Sequence, residues 1–209
     1  MQQAEPAILA WRTLLAIAIV LPATVLFGES VIQTCLPAMR AVITWLAPDF
    51  VVENLSIAGL NADRVLRLDI ANRHHLHLGK HLIAPGRSIN ATINILAPLV
   101  PVVTALVTAL AWPDRWPRVL LRLPVLALLL PPVLLADAPL VLVALTWDFW
   151  QYAANPGDTS AWTLWMQFLT RGGRPALGIA CGLLAILLTQ HYASRMSRSA
   201  HTQPPGMTN

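Results

Sequence analysis

The sequence predicts an α-helical membrane protein with four transmembrane helices, an amphipathic helix and a small extracytoplasmic antiparallel β module. Three observations carry this expectation. The 209-residue chain is 56% hydrophobic and only 11% charged, with a mean hydropathy of +0.59, against roughly 25% charged residues in soluble domains. Several of its apolar runs approach the ~20 residues that cross a bilayer. Between the first run and the others lies a stretch in which apolar residues alternate with period two, the pattern of a half-buried strand.

Residues 1–30 hold the first span, LAWRTLLAIAIVLPATVLFG (Leu9 to Gly28), with Pro22 as the place for a kink. The apolar run from Ile8 to Gly28 exceeds the about 7–15 residues of a signal-peptide core, and only Arg12 offers a basic flank, so an uncleaved anchor is expected. Residues 31–50 read as an amphipathic interfacial helix. Val31, Ile32, Cys35, Leu36, Met39, Val42, Ile43 and Leu46 form one apolar stripe, while Gln33, Thr34, Arg40 and Thr44 take other faces. This helix either lies at the interface or continues the first span. Trp45 suits the interfacial zone, and Pro48-Asp49 stops the helix.

Residues 51–90 form the β module. Leu66, Leu68 and Ile70 share one strand face, and Arg67 and Asp69 take the other. A three-residue turn at Asn72-Arg73-His74 sets Ala71 against His75, Ile70 against Leu76, Asp69 against His77 and Leu68 against Leu78. That register matches apolar with apolar and polar with polar, the condition that selects register. A two-residue turn sets Leu68 against His77 and is rejected.

Residues 91–192 hold three more spans and an interfacial helix. The second span runs from about Ala91 to Trp112, with Pro98 and Pro101 in its first half. The third runs from about Leu120 to Leu145, broken by Pro131-Pro132 and Pro139, with Trp147 and Trp150 at its far end. An interfacial helix near 159–171 follows, with Asp158 or Thr159 as N-cap and Gly172-Gly173 as its stop. The fourth span runs from about Pro175 to Gln190, and Gly178-x-x-x-Gly182, with Ala105 and Ala109 elsewhere, offers close helix packing. Residues 193–209 form a disordered tail.

Arginine placement sets the orientation. The 113–122 loop, with Arg115, Arg118 and Arg122, and the tail, with Arg195 and Arg198, are the basic short segments, so both face the cytoplasm. Both termini are then cytoplasmic, and the β module and the 148–174 loop lie outside. Arg171 and Arg174 count against this. Thirteen arginines stand against one lysine, which favours a bacterial source and hence the inner membrane. The net charge is +4, but its scatter gives no phosphate-tracking patch, so nucleic-acid binding is not expected.

Two clusters are candidate sites. Arg73–His81, RHHLHLGKH, holds four of the six histidines. In the register above, His75 and His77 share a face with Asp69 opposite and His81 in the same parity, a set able to hold Zn²⁺ or Cu²⁺. The competing reading is a solvated strand face, on which Arg67, Arg73 and Lys80 repel a cation and Asp69–His77 is an ordinary polar pair. A pH-sensing or partner-contacting role is the third, since His titrates near pH ~6.5. The second cluster centres on Asp137 in LLPPVLLADAPLVLVAL. An acid at bilayer depth costs about 2.5–3.5 kcal/mol on insertion scales and faces protein or water. Asp137 is either a proton, ion or substrate site, or the cap of a helix restarted after the proline break.

Other chemistry is sparse. No GxSxG, HExxH, Walker A or GxGxxG is present, nor are carboxylates paired at helix spacing. Cys35 and Cys181 form no CxxC and read as packing residues. Nothing around Cys181, with His191 and Arg174, activates its thiol. The triplets at Asn54 and Asn90 fit the glycosylation pattern, but no role is assigned to them.

The stretches APDFVVENLSIAG leading into the strands, INILAPLVPVVTAL opening the second span and LTWDFW closing the third lie in a layout of one span, an amphipathic helix, a β segment and three spans. This layout resembles the small membrane proteins associated with exosortases, enzymes that process sorting-tagged proteins at the bacterial inner membrane. The resemblance implies no catalytic residues. It is not a likeness to an exosortase itself, whose larger bundle carries a Cys with Arg and His partners.

The expected function is therefore a non-catalytic accessory subunit of a membrane enzyme or protein-sorting system. Such a subunit docks an integral membrane partner, exosortase-like in the first instance, or presents a surface outside the membrane. The alternatives are a small transporter or channel component using Asp137, and a metal-binding membrane module using the histidine hairpin.

Overall fold

The computed structural model describes residues 6–60, 63–78, 81–114, 116–154 and 160–201, with the side chains of 76–78, 81, 153–154 and 195–201 outside that description. The first helix, α1 (Pro6–Leu46), is one 41-residue rod that runs through Pro22 and Pro37. At 1.5 Å per residue it is ~62 Å long, about twice the ~30 Å of hydrocarbon in a bilayer. Its two halves bury differently. Along the first, Trp11, Leu14, Ile19, Leu21, Val25, Leu26 and Phe27 are exposed, an apolar outer face suited to lipid. Along the second, Ile32, Met39 and Ile43 are completely buried. Residues 31–46 thus continue the helix of the first span and do not form a separate helix, and their apolar stripe closes on a sheet.

That sheet holds β1 (Phe50–Leu60), β2 (Asp63–Asn72) and β5 (Ser88–Asn94) in the antiparallel order β1-β2-β5. As the alternation predicts, Leu66, Leu68 and Ile70 face inward and are buried. The residues opposite them are Ile57, Leu55 and Val52 on β1, and Ile93, Ala91 and Ile89 on β5. A bulge between Val52 and Asn54 restores this match. The extra residue, Glu53, changes the parity of β1 so that Phe50 and Val52 before it and Leu55 and Ile57 after it all point inward. Arg40 of α1 donates to the Val52 carbonyl at 2.9 Å, fixing the bulge to the helix.

The expected hairpin of 66–71 with 75–78 does not form. β3 (Leu76–Leu78) pairs instead with β4 (His81–Ile83) in a separate two-stranded ribbon, His77 opposite Leu82 and Leu78 opposite His81. The physical reason is length. β5 offers β2 seven consecutive partners, against the four in the expected register, and an apolar face of the same parity. The second span is also shorter than expected: Ala91–Asn94 belong to β5, and the helical part is a 3₁₀ turn at Ala97–Leu99 followed by α2 (Val100–Ala111). Pro101 stands in the first turn of α2, where its missing N–H costs nothing.

Helix α3 (Trp116–Ala154) passes unbroken through Pro124, Pro131, Pro132 and Pro139. α4 (Ala161–Phe168) has Ser160 as its N-cap, whose Oγ accepts the Thr163 amide at 3.1 Å. The expected caps Asp158 and Thr159 lie outside the described residues. A wide turn over Leu169–Gly173 joins α4 to α5 (Arg174–His201), and Gly172 supplies the required positive φ of 113°. Among the described residues three helices, Pro6–Leu46, Trp116–Tyr152 and Ala161–Ser194, are long and apolar enough to cross a membrane, and Ala97–Ala111 is a shorter apolar helix. This is consistent with a membrane protein.

Two cores result. The larger packs the sheet against the second half of α1, the far half of α3 and α4, and includes Phe50 edge-on to Trp147 at 5.4 Å. The smaller packs α2, α3 and α5 around Ala105, Ala109, Leu126 and Ala185. Here Gly178 and Gly182 let α5 lie directly on α2. A Cβ on Gly178 runs into the Thr104 hydroxyl and the Pro101 carbonyl, and one on Gly182 comes within 2.7 Å of Thr108 Cβ. The small-residue motif thus serves a contact within the chain.

Candidate functional site

Three polar constellations interrupt the apolar body. The first is Asp137 with Arg174. The turn through Gly172-Gly173 sets Arg174 in the first turn of α5, facing α3. Its Nε donates to Asp137 Oδ2 at 2.8 Å and Oδ1 at 3.1 Å, and its Nη2 to Oδ1 at 3.0 Å. The side chains are 0% and 11% exposed for Asp137 and Arg174. A buried carboxylate is tolerable only with such a partner, and the planar guanidinium fork matches both oxygens. Asp137 does not cap a restarted helix, because α3 never stops. It locks α3 to α5. It lies ~32 Å along α3 from Trp116, with the apolar run Ala138–Leu145 still to follow.

The second lies at the opposite end, where α2 meets α3. Arg122, completely buried, donates from Nη1 to the carbonyls of Ala109 at 2.8 Å and Trp112 at 3.3 Å, and from Nη2 to Asp114 Oδ2 at 2.7 Å. It thereby caps the last turn of α2, whose carbonyls have no partner within the helix. Its Nε has no hydrogen-bond partner. Arg118 Nη1 reaches Asp114 Oδ1 at 3.4 Å, and Arg12 of α1 donates to the Asp114 backbone oxygen at 3.5 Å. From the sequence, Arg118 and Arg122 read only as topology markers and Arg12 only as a basic flank. The missed signal was Arg122 set within LLRLP, an arginine with apolar neighbours on every side.

The third is the outer face of the sheet. Glu53, Asn54, Arg67, Asp69, Ser88, Ile89 and Asn90 line a shallow polar depression of about 350 Å³. Arg67 Nε donates to Asp69 Oδ1 at 2.8 Å. Asp69 stands across from Asn54 and Asn90, so its expected pairing with His77 is replaced. His74 and His75 are exposed; the side chains of His77 and His81 lie outside those described. Among the described residues no three His, Cys, Asp or Glu groups converge as metal ligands.

The loop that carries the histidines is organised by Asn72, which the sequence offered only as a turn residue. Its buried side chain donates from Nδ2 to the carbonyls of His74 at 3.1 Å and Ala84 at 2.8 Å, and its Oδ1 accepts the Arg87 amide at 2.8 Å. Cys35 and Cys181 are half-buried among apolar neighbours. No protein-family profile, curated protein or solved structure matches the chain.

Proposed function

We propose that this protein is a non-catalytic, membrane-anchored docking subunit, with α1, α3 and α5 crossing the bacterial inner membrane, the shorter α2 packed beside α5, and the sheet standing outside it. One observation supports the reading: aromatic residues stay exposed at the sheet ends of α1 and α3, farther along each helix than one hydrocarbon layer reaches. Trp45 is 79% exposed, Tyr152 75% and Phe149 57%. Trp45 is ~50 Å along α1 from Arg12, and Phe149 is ~50 Å along α3 from Trp116, so both helices overrun a ~30 Å hydrocarbon layer by ~20 Å. Exposed aromatic side chains beyond the bilayer suit a protein partner, since such residues dominate binding energetics at interfaces. The overrun is rigid, because the sheet is packed on both rods.

The pairing of Asp137 with Arg174 favours this reading over transport. A carrier site needs an acid that exchanges partners, whereas Asp137 already has three hydrogen bonds from Arg174. The sheet's polar depression adds a surface for the partner or for the exported chain it handles.

Crosslinking in intact membranes, followed by mild-detergent purification and mass spectrometry, tests the proposal. The expected result is a stoichiometric integral membrane protein, an exosortase-like enzyme being the first candidate, that is lost from the triple variant Trp45→Ser, Phe149→Ser, Tyr152→Ser. Purification of the wild-type chain alone, or unchanged capture by a membrane-inserted triple variant, refutes it.

A further inference from the structure

We propose that the cleft between α1 and α3 at the Arg12 end is a binding site for one anionic phospholipid. The cleft measures about 220 Å³ and is lined by Leu15, Ala16, Ile19, Leu110, Trp116 and Val119, with Arg12 and Asp114 the polar residues on its wall. Its floor is made by small or tightly held groups, Ala16 and Val119, while Leu15, Ile19 and Trp116 stand exposed around it. It is thus a slot open to the side, apolar along its length, with polar groups at the Arg12 end. Those are the two requirements of an acyl chain and its headgroup.

Charge selects the headgroup. Arg12, Arg118 and Arg122 gather around a single described acid, Asp114, whose carboxylate oxygens already receive Arg118 and Arg122. Arg12 has five N–H donors, and its described bond is one long contact, at 3.5 Å, to a backbone oxygen. Its guanidinium therefore has donors in the right fork for a phosphate. Basic pockets between helices near a membrane surface hold anionic headgroups by this combination. A zwitterionic lipid offers the same phosphate but adds a cation that Arg12 and Arg118 repel.

The test is native mass spectrometry of the full-length protein from nanodiscs with equal phosphatidylglycerol and phosphatidylcholine, backed by thermal shift in detergent on addition of either lipid. The wild-type protein should retain phosphatidylglycerol about tenfold over phosphatidylcholine, and inorganic phosphate should give no shift. Arg12→Gln should abolish the preference and Arg12→Lys should keep part of it. Ile19→Trp, at a 59% exposed position, should fill the slot without disturbing the fold and reduce retention of both lipids. Equal retention of the two lipids by wild-type protein, an undiminished preference in Arg12→Gln, unchanged retention in Ile19→Trp, or a phosphate shift matching that of the lipid each overturns the proposal.

Discussion

Breaking the Asp137–Arg174 pair should cost far more than deleting it. Arg174→Met removes three hydrogen bonds of 2.8–3.1 Å and leaves a fully buried carboxylate unpaired. At an effective dielectric of ~20, two unit charges ~4 Å apart attract by about 4 kcal/mol, and breaking one side of a buried pair costs about 3–5 kcal/mol. Asp137→Leu strands the guanidinium instead; Arg174 is 11% exposed and recovers some solvation, so its cost is at the lower end of that range. The double variant Asp137→Leu, Arg174→Met leaves neither charge, and its stability should lie within ~1 kcal/mol of wild type. Unfolding by SDS titration of the protein in mild detergent gives all four corners of the double-mutant cycle. The expected coupling is about 3 kcal/mol or more. Additive single effects, with coupling below ~0.5 kcal/mol, would refute the lock between α3 and α5.

Three further outcomes follow from the packing. Arg122→Met should destabilise by about 3–5 kcal/mol in the same titration, and Arg122→Lys should not restore wild-type stability, because a compact ammonium lacks the fork that reaches Ala109, Trp112 and Asp114 together. Gly178→Ala should cost about 1–3 kcal/mol by overpacking α5 on α2, whereas Gly59→Ala, with nothing within 4 Å of the new Cβ, should change stability by less than ~0.5 kcal/mol. Asn72→Ala should cost about 1–3 kcal/mol and speed hydrogen exchange at the Arg87 amide, which loses its acceptor; unchanged protection there would show that the loop does not depend on Asn72.

Local pattern in the chain was enough to find the long apolar helices, the inward face of β2 at Leu66, Leu68 and Ile70, and the burial of the acid Asp137. Each of these is a consequence of burial on one face or of a charge in an apolar run, and both can be seen within a few residues. What lay beyond it were choices between distant partners. The histidine strand and β5 both offer β2 an alternating face, and only the assembled sheet decides that Asp69 meets Asn54 and Asn90. Pro131, Pro132 and Pro139 read as a break, yet α3 continues, because packing against the sheet and α5 offsets bonds that an isolated helix would lose.

The same division holds for the polar groups. The sequence by itself determined that an acid at 137 sits in apolar surroundings and needs a partner, whereas Arg122 reads there as a loop charge and only the structure shows it buried. Tertiary structure alone decided that the partners are Arg174, 37 residues away, and Asp114 with the end of α2. A buried charge states its demand locally, through the cost of desolvation, but that demand is met by whichever group the packed helices bring within hydrogen-bonding distance.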